Sequence, residues 1–314
     1  MKYKHLFGPV PSRRLGISLG VDLIPYKVCN FNCVYCESGR TTNLTNDRKE
    51  YFPTETIIDE LTDFLKNSPE LDHITFSGAG EPTLNSGIGK IISFIQTNYP
   101  QYKTALITNS ALFTNAELRK EIADVDLILP SLDAASQQVF EKINRSASSL
   151  EIDDIIHGLF EFTKEYKGKL WLEVFIVPGI NDTKSELTLL KTALQYIQPE
   201  RVQLNTLDRP GTESSVKAIS KQKLEEIAEF FQPLPTEIIA KFKSQNKIKS
   251  FNTDIETAIL DTIRRRPCTK QDMVDTLSAD INKIELLLTK LIDVGKVRPE
   301  IQKRGTFYTI SEEI

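Results

Sequence analysis

The feature that most restricts this fold is an alternation. From about residue 17 to 206, short apolar runs take turns with longer amphipathic ones. The short runs are GISLGVDLI (16–24), HITFSG (73–78), KTALITN (103–109), VDLILPSLD (125–133), LWLEVFIV (170–177) and RVQLNTL (201–207). They read as six strands. Helical patterns lie between them near 54–67, 87–98, 115–123, 135–166 and 183–197, with Thr54 and Asn115 placed as helix caps. Strands separated by helices are parallel, and right-handed crossovers place the helices over the sheet. The expected fold class is therefore α/β, a partial (β/α)6 barrel. No repeat of 20 to 50 residues is present, which excludes a solenoid.

A second pattern follows the first. After the turn-rich LDRPGTESS (207–215) and a helix over KQKLEEIAEFF (221–231), residues 241–253 are polar and read as a linker. Residues 254–314 then show three helical patterns and two short strands, KVRPEI and GTFYTI, the order of a winged helix-turn-helix. Thr269 with Asp272, and Ser278, supply N-caps, and Gly295 stands where a C-cap glycine belongs. The expected domains are 1–240 and 254–314.

No stretch approaches the ~18 apolar residues of a membrane span, and MKYKHLFGPVPSRR has no secretory signal pattern, so the expectation is a cytoplasmic protein. The net charge of −4 argues against an overall electrostatic grip on nucleic acid and leaves room for local basic patches.

In parallel α/β folds, ligands sit beyond the carboxyl ends of the strands. Here those ends carry CNFNCVYC (29–36), SGAGEP (77–82), TNS (108–110), SLD (131–133) and PGIND (178–182). Three of the four cysteines, Cys29, Cys33 and Cys36, fall within eight positions. Clustered cysteines without an export signal point to metal rather than disulfide. A closed zinc site wants four ligands, and His5, His73 and His157 all lie outside the loop. A cubane iron–sulfur cluster on three thiolates leaves one iron open for a ligand. Cys268 has no cysteine neighbour and reads as an inert thiol.

With its spacing of three and two and Tyr35 before the last cysteine, CNFNCVYC resembles the cluster signature of the radical S-adenosylmethionine (radical SAM) superfamily. GAGEP (78–82) resembles that superfamily's glycine–glycine–glutamate stretch, with Ala79 in place of the second glycine. The context PSRRLGISLGVDLIPYKVCNFNCVYC (11–36) is similar to a wyosine-synthase-related group within it. The resemblance implies a 4Fe-4S cluster on Cys29, Cys33 and Cys36, and SAM as its ligand. It implies one-electron cleavage to a 5′-deoxyadenosyl radical, with a reducing donor such as a flavodoxin or ferredoxin. It further implies SAM contacts from Tyr35, Gly78, Ala79, Gly80, Glu81, Asn109 and Ser131.

Other residues keep two readings. Glu81 either meets the SAM ammonium or caps the PTLN turn. Asp133 is a cofactor contact or the N-cap of AASQQVFEKI, and Arg145 pairs with the SAM carboxylate or is a structural arginine. Val177 meets the adenine edge or packs in the core. Glu173 finds a partner inside the barrel or faces solvent, since strand faces alternate. Asn205 and Asp208 face substrate.

In the tail, Arg264, Arg265, Arg266, Lys296, Arg298, Lys303 and Arg304 are placed for phosphates and offer a nucleic-acid surface. Against that, acidic residues slightly outnumber basic ones there. The expected function is SAM cleavage and hydrogen abstraction from a substrate such as tRNA or another macromolecule. The alternative is an iron–sulfur redox sensor that binds DNA without turnover.

Overall fold

The six alternating segments form six parallel strands in the computed structural model, which describes residues 3–147, 149–239, 255–277, 279–302 and 304–311. The elements begin with β1 (Leu6–Ser12), β2 (Gly16–Val21), β3 (Val28–Cys29), β4 (Asn43–Leu44), α1 (Thr54–Leu65) and β5 (His73–Phe76). Next come a 3-10 turn (Pro82–Leu84), α2 (Ile88–Asn98), β6 (Lys103–Thr108), α3 (Ala116–Glu121), β7 (Leu127–Pro130), α4 (Gln137–Ile143) and α5 (Ile152–Glu165). They continue with β8 (Lys169–Phe175), α6 (Lys184–Ile197), β9 (Arg201–Asn205), α7 (Lys221–Phe230) and β10 (Thr236–Ile238). The last are α8 (Ile255–Arg265), β11 (Cys268–Thr269), α9 (Lys270–Leu277), α10 (Ile281–Asp293), β12 (Val297–Gln302) and β13 (Gly305–Ile310).

The main sheet runs β1-β2-β5-β6-β7-β8-β9-β10, and all of its pairings are parallel except that of β1 with β2. Its two edge strands do not pair with each other, so the sheet stays open. Two of its strands exceed the six expected. β1 carries Gly8, Pro9 and Pro11, which disguise it as a loop, yet an edge strand tolerates proline because its outer N–H groups pair with nothing. β10 has three residues, too few to show a period.

Strand alternation divides the side chains. Leu172 and Val174 of β8 enter the large core beneath the helices, together with Phe76, Phe113 and Phe162. Burying each such ring contributes about 1.5–3 kcal/mol. Trp171 on the opposite face joins Leu15, Ala105, Ile107, Leu127 and Leu129 in a separate apolar plug. Glu173 shares Trp171's face and therefore points into the lumen.

Local signals held unevenly. Asn115 caps α3 by accepting from the N–H groups of Glu117 and Leu118. Thr54 does not cap α1: it is the first helical residue, and its N–H and hydroxyl both donate to Glu50. The expected helix over 135–166 is two helices. It breaks where Arg145 and Ser149 take left-handed φ of 46° and 75°, a conformation no helix continues through.

In the C-terminal segment, α8, α9 and α10 pack around Ile259, Met273, Ile284, Leu288 and Leu291, and β11-β13-β12 form a small sheet. Thr269 and Asp272 cap reciprocally, and Gly295 follows α10 at φ 72°. Asp280 is the N-cap of α10. The expected cap Ser278, the linker 241–253 and Lys303 lie outside the described residues. Among the described residues no helix is long and apolar enough to cross a membrane.

Candidate active site

The cysteine loop is pinned by its own alternation. Phe31 and Val34 turn into the core, Phe31 edge-on to Phe140 at 5.3 Å, while the three cysteines between and beside them stay partly accessible. Asn32 N–H donates to the Asn144 carbonyl at 2.9 Å, Val34 N–H to Ile143 at 2.9 Å, and Ala147 N–H to Asn30 at 2.8 Å. The end of α4 thus carries the loop, and pairing of β3 with β4 fixes Cys29.

Each sulfur faces an N–H donor. Lys27 Nζ lies 3.2 Å from Cys36 Sγ, Asn144 Nδ2 lies 3.4 Å from Cys33 Sγ, and Phe31 N and Asn109 Nδ2 lie 3.4 and 3.6 Å from Cys29 Sγ. Burial pushes the Cys29 thiol up to about 12, with the Glu81 charge adding to it, and raises Cys33 for the same first reason. Burial opposes the Lys27 charge, but the sulfurs of Cys36, Cys29 and Cys33 outweigh it and leave Lys27 more basic than usual. Three thiols, a buried ammonium and side-chain amides aimed at sulfur are the donor set an anionic iron–sulfur cluster needs, since hydrogen bonds and charge set its potential. Among the described residues no three His, Cys, Asp or Glu side chains gather tightly enough for a single ion. The residues present fit a cluster that spreads its ligands. Lys27 was not singled out from the sequence, although a lysine inside the apolar IPYKVC run is a signal that it needs a partner.

The stretch beyond β5 closes on this loop. Glu81 N–H donates to the Val28 carbonyl at 3.1 Å, and a Cβ on Gly80 would stand 2.0 Å from that oxygen. A Cβ on Gly78 would stand 1.8 Å from Asp22 Oδ1. At Gly80 the obstacle is backbone, so that position requires a residue with no side chain, whereas at Gly78 the Asp22 carboxylate would have to move. Glu81 is only 2% exposed and takes its capping reading. Thr83 N–H (3.0 Å), Thr83 Oγ1 (2.6 Å) and Thr108 Oγ1 (2.7 Å) donate to Oε1, and Asn109 N–H (2.8 Å) donates to Oε2. Burial raises its pKa against these donors.

Asp133 does not take its capping reading. Ser136 caps α4, whereas buried Asp133 accepts from the Tyr35 hydroxyl, Asn144 Nδ2 at 2.8 Å and Phe175 N–H at 2.9 Å. Burial pushes its pKa up to about 6, with those hydrogen bonds pulling the other way. Tyr35 stacks on Phe175 with centroids 3.8 Å apart, so its ring and hydroxyl are both engaged within the protein. Its own pKa is raised by burial and then by Asp133. Arg145 pairs with Glu213 at 2.6 Å. Val177 is buried in the main core, its N–H donating to Asn181 Oδ1 at 2.8 Å. Asn109 Nδ2 also donates to Asn30 Oδ1 at 2.6 Å, while Asn30 Nδ2 is buried with no partner. Ser131 accepts from Ser110 Oγ at 2.9 Å through its carbonyl.

Inside the lumen Glu173 pairs with Arg14, and Asn205 Nδ2 donates to it at 3.3 Å. Ser18 and Thr75 hydroxyls meet at 2.7 Å. A cavity of about 840 Å³ opens from Gly78 and Glu37 past these strands to the β1–β2 turn, and α8, α9 and the start of β13 form its far side. Arg265 of α8 pairs with Asp22 and lies 4.1 Å over the Phe7 ring. Arg304 pairs with Asp208 and Asp272, and Arg209 Nε donates to the Pro267 carbonyl at 3.1 Å. Arg265 and Arg304, expected on phosphates, face the barrel instead. Asp208 is engaged by arginine rather than open to substrate.

Comparisons place this geometry in a family. The Radical SAM superfamily profile matches residues 23–190. A protein named GTPase Obg from Brachyspira hyodysenteriae is 36% identical over 99% of this chain, which spans 46% of that protein. A UPF0026 protein from Methanocaldococcus jannaschii is 32% identical over 93% of this chain and 91% of its own length. In structure, a radical SAM methyltransferase from Sphaerobacter thermophilus superposes with a TM-score of 0.56 at 16% identity, covering 70% of this chain and 65% of that one; the likeness is one of fold. The superfamily consists of enzymes that use a 4Fe-4S cluster and SAM. On the profile match and on similarity across nearly its full length, this chain belongs to the radical SAM superfamily and, within it, to the UPF0026 family.

Proposed function

We propose that the chain is a radical SAM enzyme whose cluster is held by Cys29, Cys33 and Cys36. The observation that carries this reading is the loop itself, where each of three sulfurs meets an N–H donor. When bound, the cluster and SAM supply one-electron cleavage of a sulfonium carbon–sulfur bond and a 5′-deoxyadenosyl radical that takes a substrate hydrogen, with electrons from a donor such as a flavodoxin or ferredoxin. The chain's residues hold and exclude. Lys27 offsets negative charge at Cys36, Asn109 and Asn144 orient two sulfurs, and the Gly78–Gly80 backbone, Asn109 and Ser131 would border SAM at the strand ends. The cavity beside Gly78 accommodates a small molecule or one unit of a polymer.

The C-terminal unit, 254–314, is a winged helix on this reading, supported by three helices, a β-hairpin and a core of its own. It acts as a wall of the cavity and not as a reader of nucleic acid. Two of its expected phosphate ligands face inward, and the outer face of α10 exposes Ile281 and Leu286. The similarity of residues 11–36 to a wyosine-synthase-related group supports a substrate such as tRNA or another macromolecule. Nothing in the site supports the DNA-binding sensor.

Anaerobic reconstitution tests the proposal. The expected results are a cubane absorption spectrum, a change in the reduced cluster's EPR signal on adding SAM, and 5′-deoxyadenosine after dithionite. Zinc without iron, or a cluster indifferent to SAM, would refute it.

A further inference from the structure

Glu81 ties the loop after β5 to two other strand ends. Its N–H donates at 3.1 Å to the carbonyl of Val28, the residue before Cys29 on β3. Its carboxylate reaches the end of β6, where Thr108 Oγ1 donates to Oε1 at 2.7 Å and Asn109 N–H donates to Oε2 at 2.8 Å. The connection continues through the Asn109 side chain. Ala111 N–H donates to Asn109 Oδ1 at 3.1 Å, which identifies the other amide atom as nitrogen. That Nδ2 lies 2.6 Å from Asn30 Oδ1 and 3.6 Å from Cys29 Sγ. Of two amide atoms 2.6 Å apart one must accept, so Asn30 turns its oxygen to Asn109 and its nitrogen elsewhere. Asn30 is fully buried, and its Nδ2 has no hydrogen-bond partner among the described residues.

A buried donor is costly to keep unless something accepts from it. This one belongs to the residue that follows Cys29, in the loop whose thiols fit an iron–sulfur cluster, and the sulfides of a cluster are acceptors. The carboxylate that anchors the relay has four donors of its own, counting the two from Thr83, so it has little left for an ammonium. We propose that Glu81 is a positioning residue for the cluster and not a ligand of SAM. Through Asn109 it fixes two side-chain amides: Asn109 donates to the Cys29 sulfur, and Asn30 donates to a sulfide of the cluster. The assignment rests on the radical SAM reading of the three cysteines, and it moves Glu81 from the SAM contacts that the resemblance implies to the support of one cluster ligand.

The test compares reconstituted E81Q, N109A and N30L with the unmodified protein, first by EPR-monitored redox titration without SAM. Fewer N–H donors at sulfur disfavour the reduced cluster. The reduced-to-oxidised ratio at a fixed potential should fall about tenfold in N109A, a midpoint shift of about 59 mV for one electron, and about threefold in E81Q and N30L. Because Glu81 acts through Asn109, the E81Q/N109A double variant should shift no further than N109A alone, an equality that general loosening would not produce. SAM affinity, read from the EPR change on titration, should stay within about twofold in E81Q. Should E81Q fold by circular dichroism yet load no cluster, N109A and N30L decide, since N109A keeps the backbone N–H that Glu81 accepts. Unchanged potentials in those two variants, or SAM binding weakened tenfold in E81Q at an unchanged potential, would overturn the relay and leave the radical SAM reading standing. Absence of a cubane spectrum from the unmodified protein would sink that reading and the relay with it.

Discussion

Replacing Arg265 with alanine removes a link between the C-terminal unit and the barrel, and the cost follows from what it leaves behind. Asp22 has one oxygen with no partner in the structure, and its other oxygen takes the Arg265 guanidinium. Losing a charge-assisted hydrogen bond costs about 1.5–3 kcal/mol, and losing a cation over the Phe7 ring about 0.5–1 kcal/mol more. The two side chains retain 24% and 15% exposure, so water tempers the 3–5 kcal/mol typical of a fully buried orphan. The expected destabilisation at pH 7.5 is about 2–3 kcal/mol.

The sign with pH is also determined. Burial raises Asp22's pKa even with Arg265 opposing it, so ionised Asp22 disfavours folding above its folded pKa and has no such effect below its unfolded value near 3.9. Without Arg265 the folded pKa climbs further. The variant should therefore regain ground on the unmodified protein as pH falls from 7.5 to 5. His5, next to Asp22, is lowered chiefly by burial, and it is common to every protein in the comparison. A double-mutant cycle with D22N, run by urea unfolding and followed through Trp171, the single tryptophan, isolates the pair. A coupling near zero, or a deficit for R265A that is the same at both pH values, would refute the reasoning.

In G80A a Cβ would press into the Val28 carbonyl, a backbone atom that cannot swing aside, so the variant should lose about 1–3 kcal/mol and a large part of its reconstituted iron, measured by denaturation midpoint and iron analysis. K27M removes the buried ammonium from Cys36; the cluster's midpoint potential, read by EPR-monitored titration, should fall by on the order of 60 mV, the one-electron equivalent of about 1.4 kcal/mol. A potential that is unchanged or higher would show that Lys27 serves packing alone.

What could be read from the sequence was whatever repeats or sits close along the chain. Strand and helix periods are local, and so are the reciprocal Thr269–Asp272 cap and the cysteine spacing. Glu81 as a cap was also written locally, in the threonine two positions on. Partners far apart were not legible. Tyr35 and Asp133 are 98 residues apart and Arg14 and Glu173 are 159 apart, and no periodicity announces either pairing. Glu173 could be narrowed to two faces of a strand, and its lumenal position follows only once Leu172 and Val174 are known to enter the helix-covered core. β1 escaped notice for a different reason: its prolines are permitted by its edge position, which is a property of the sheet and not of the segment.

The pattern of occupied side chains bears on where recognition resides. A carboxylate has room for about four hydrogen bonds, and Glu81 Oε1 already holds three donors while Oε2 holds one, at 2% exposure. Asp133 is filled by Tyr35, Asn144 and Phe175, and Arg145 by Glu213. These charged groups brace the strand ends; on the proposed reading, contact with a bound cofactor would fall to backbone at Gly78–Gly80 and to amides such as Asn109. Such contacts are independent of pH and impose no charge on what binds. Charge selection is thereby left to the other end of the cavity, where Arg265, Lys270 and Arg304 of the C-terminal unit line the wall. A division of this kind lets one part of the chamber stay fixed for a common cofactor while the other, built partly from the C-terminal unit, is free to vary with the substrate.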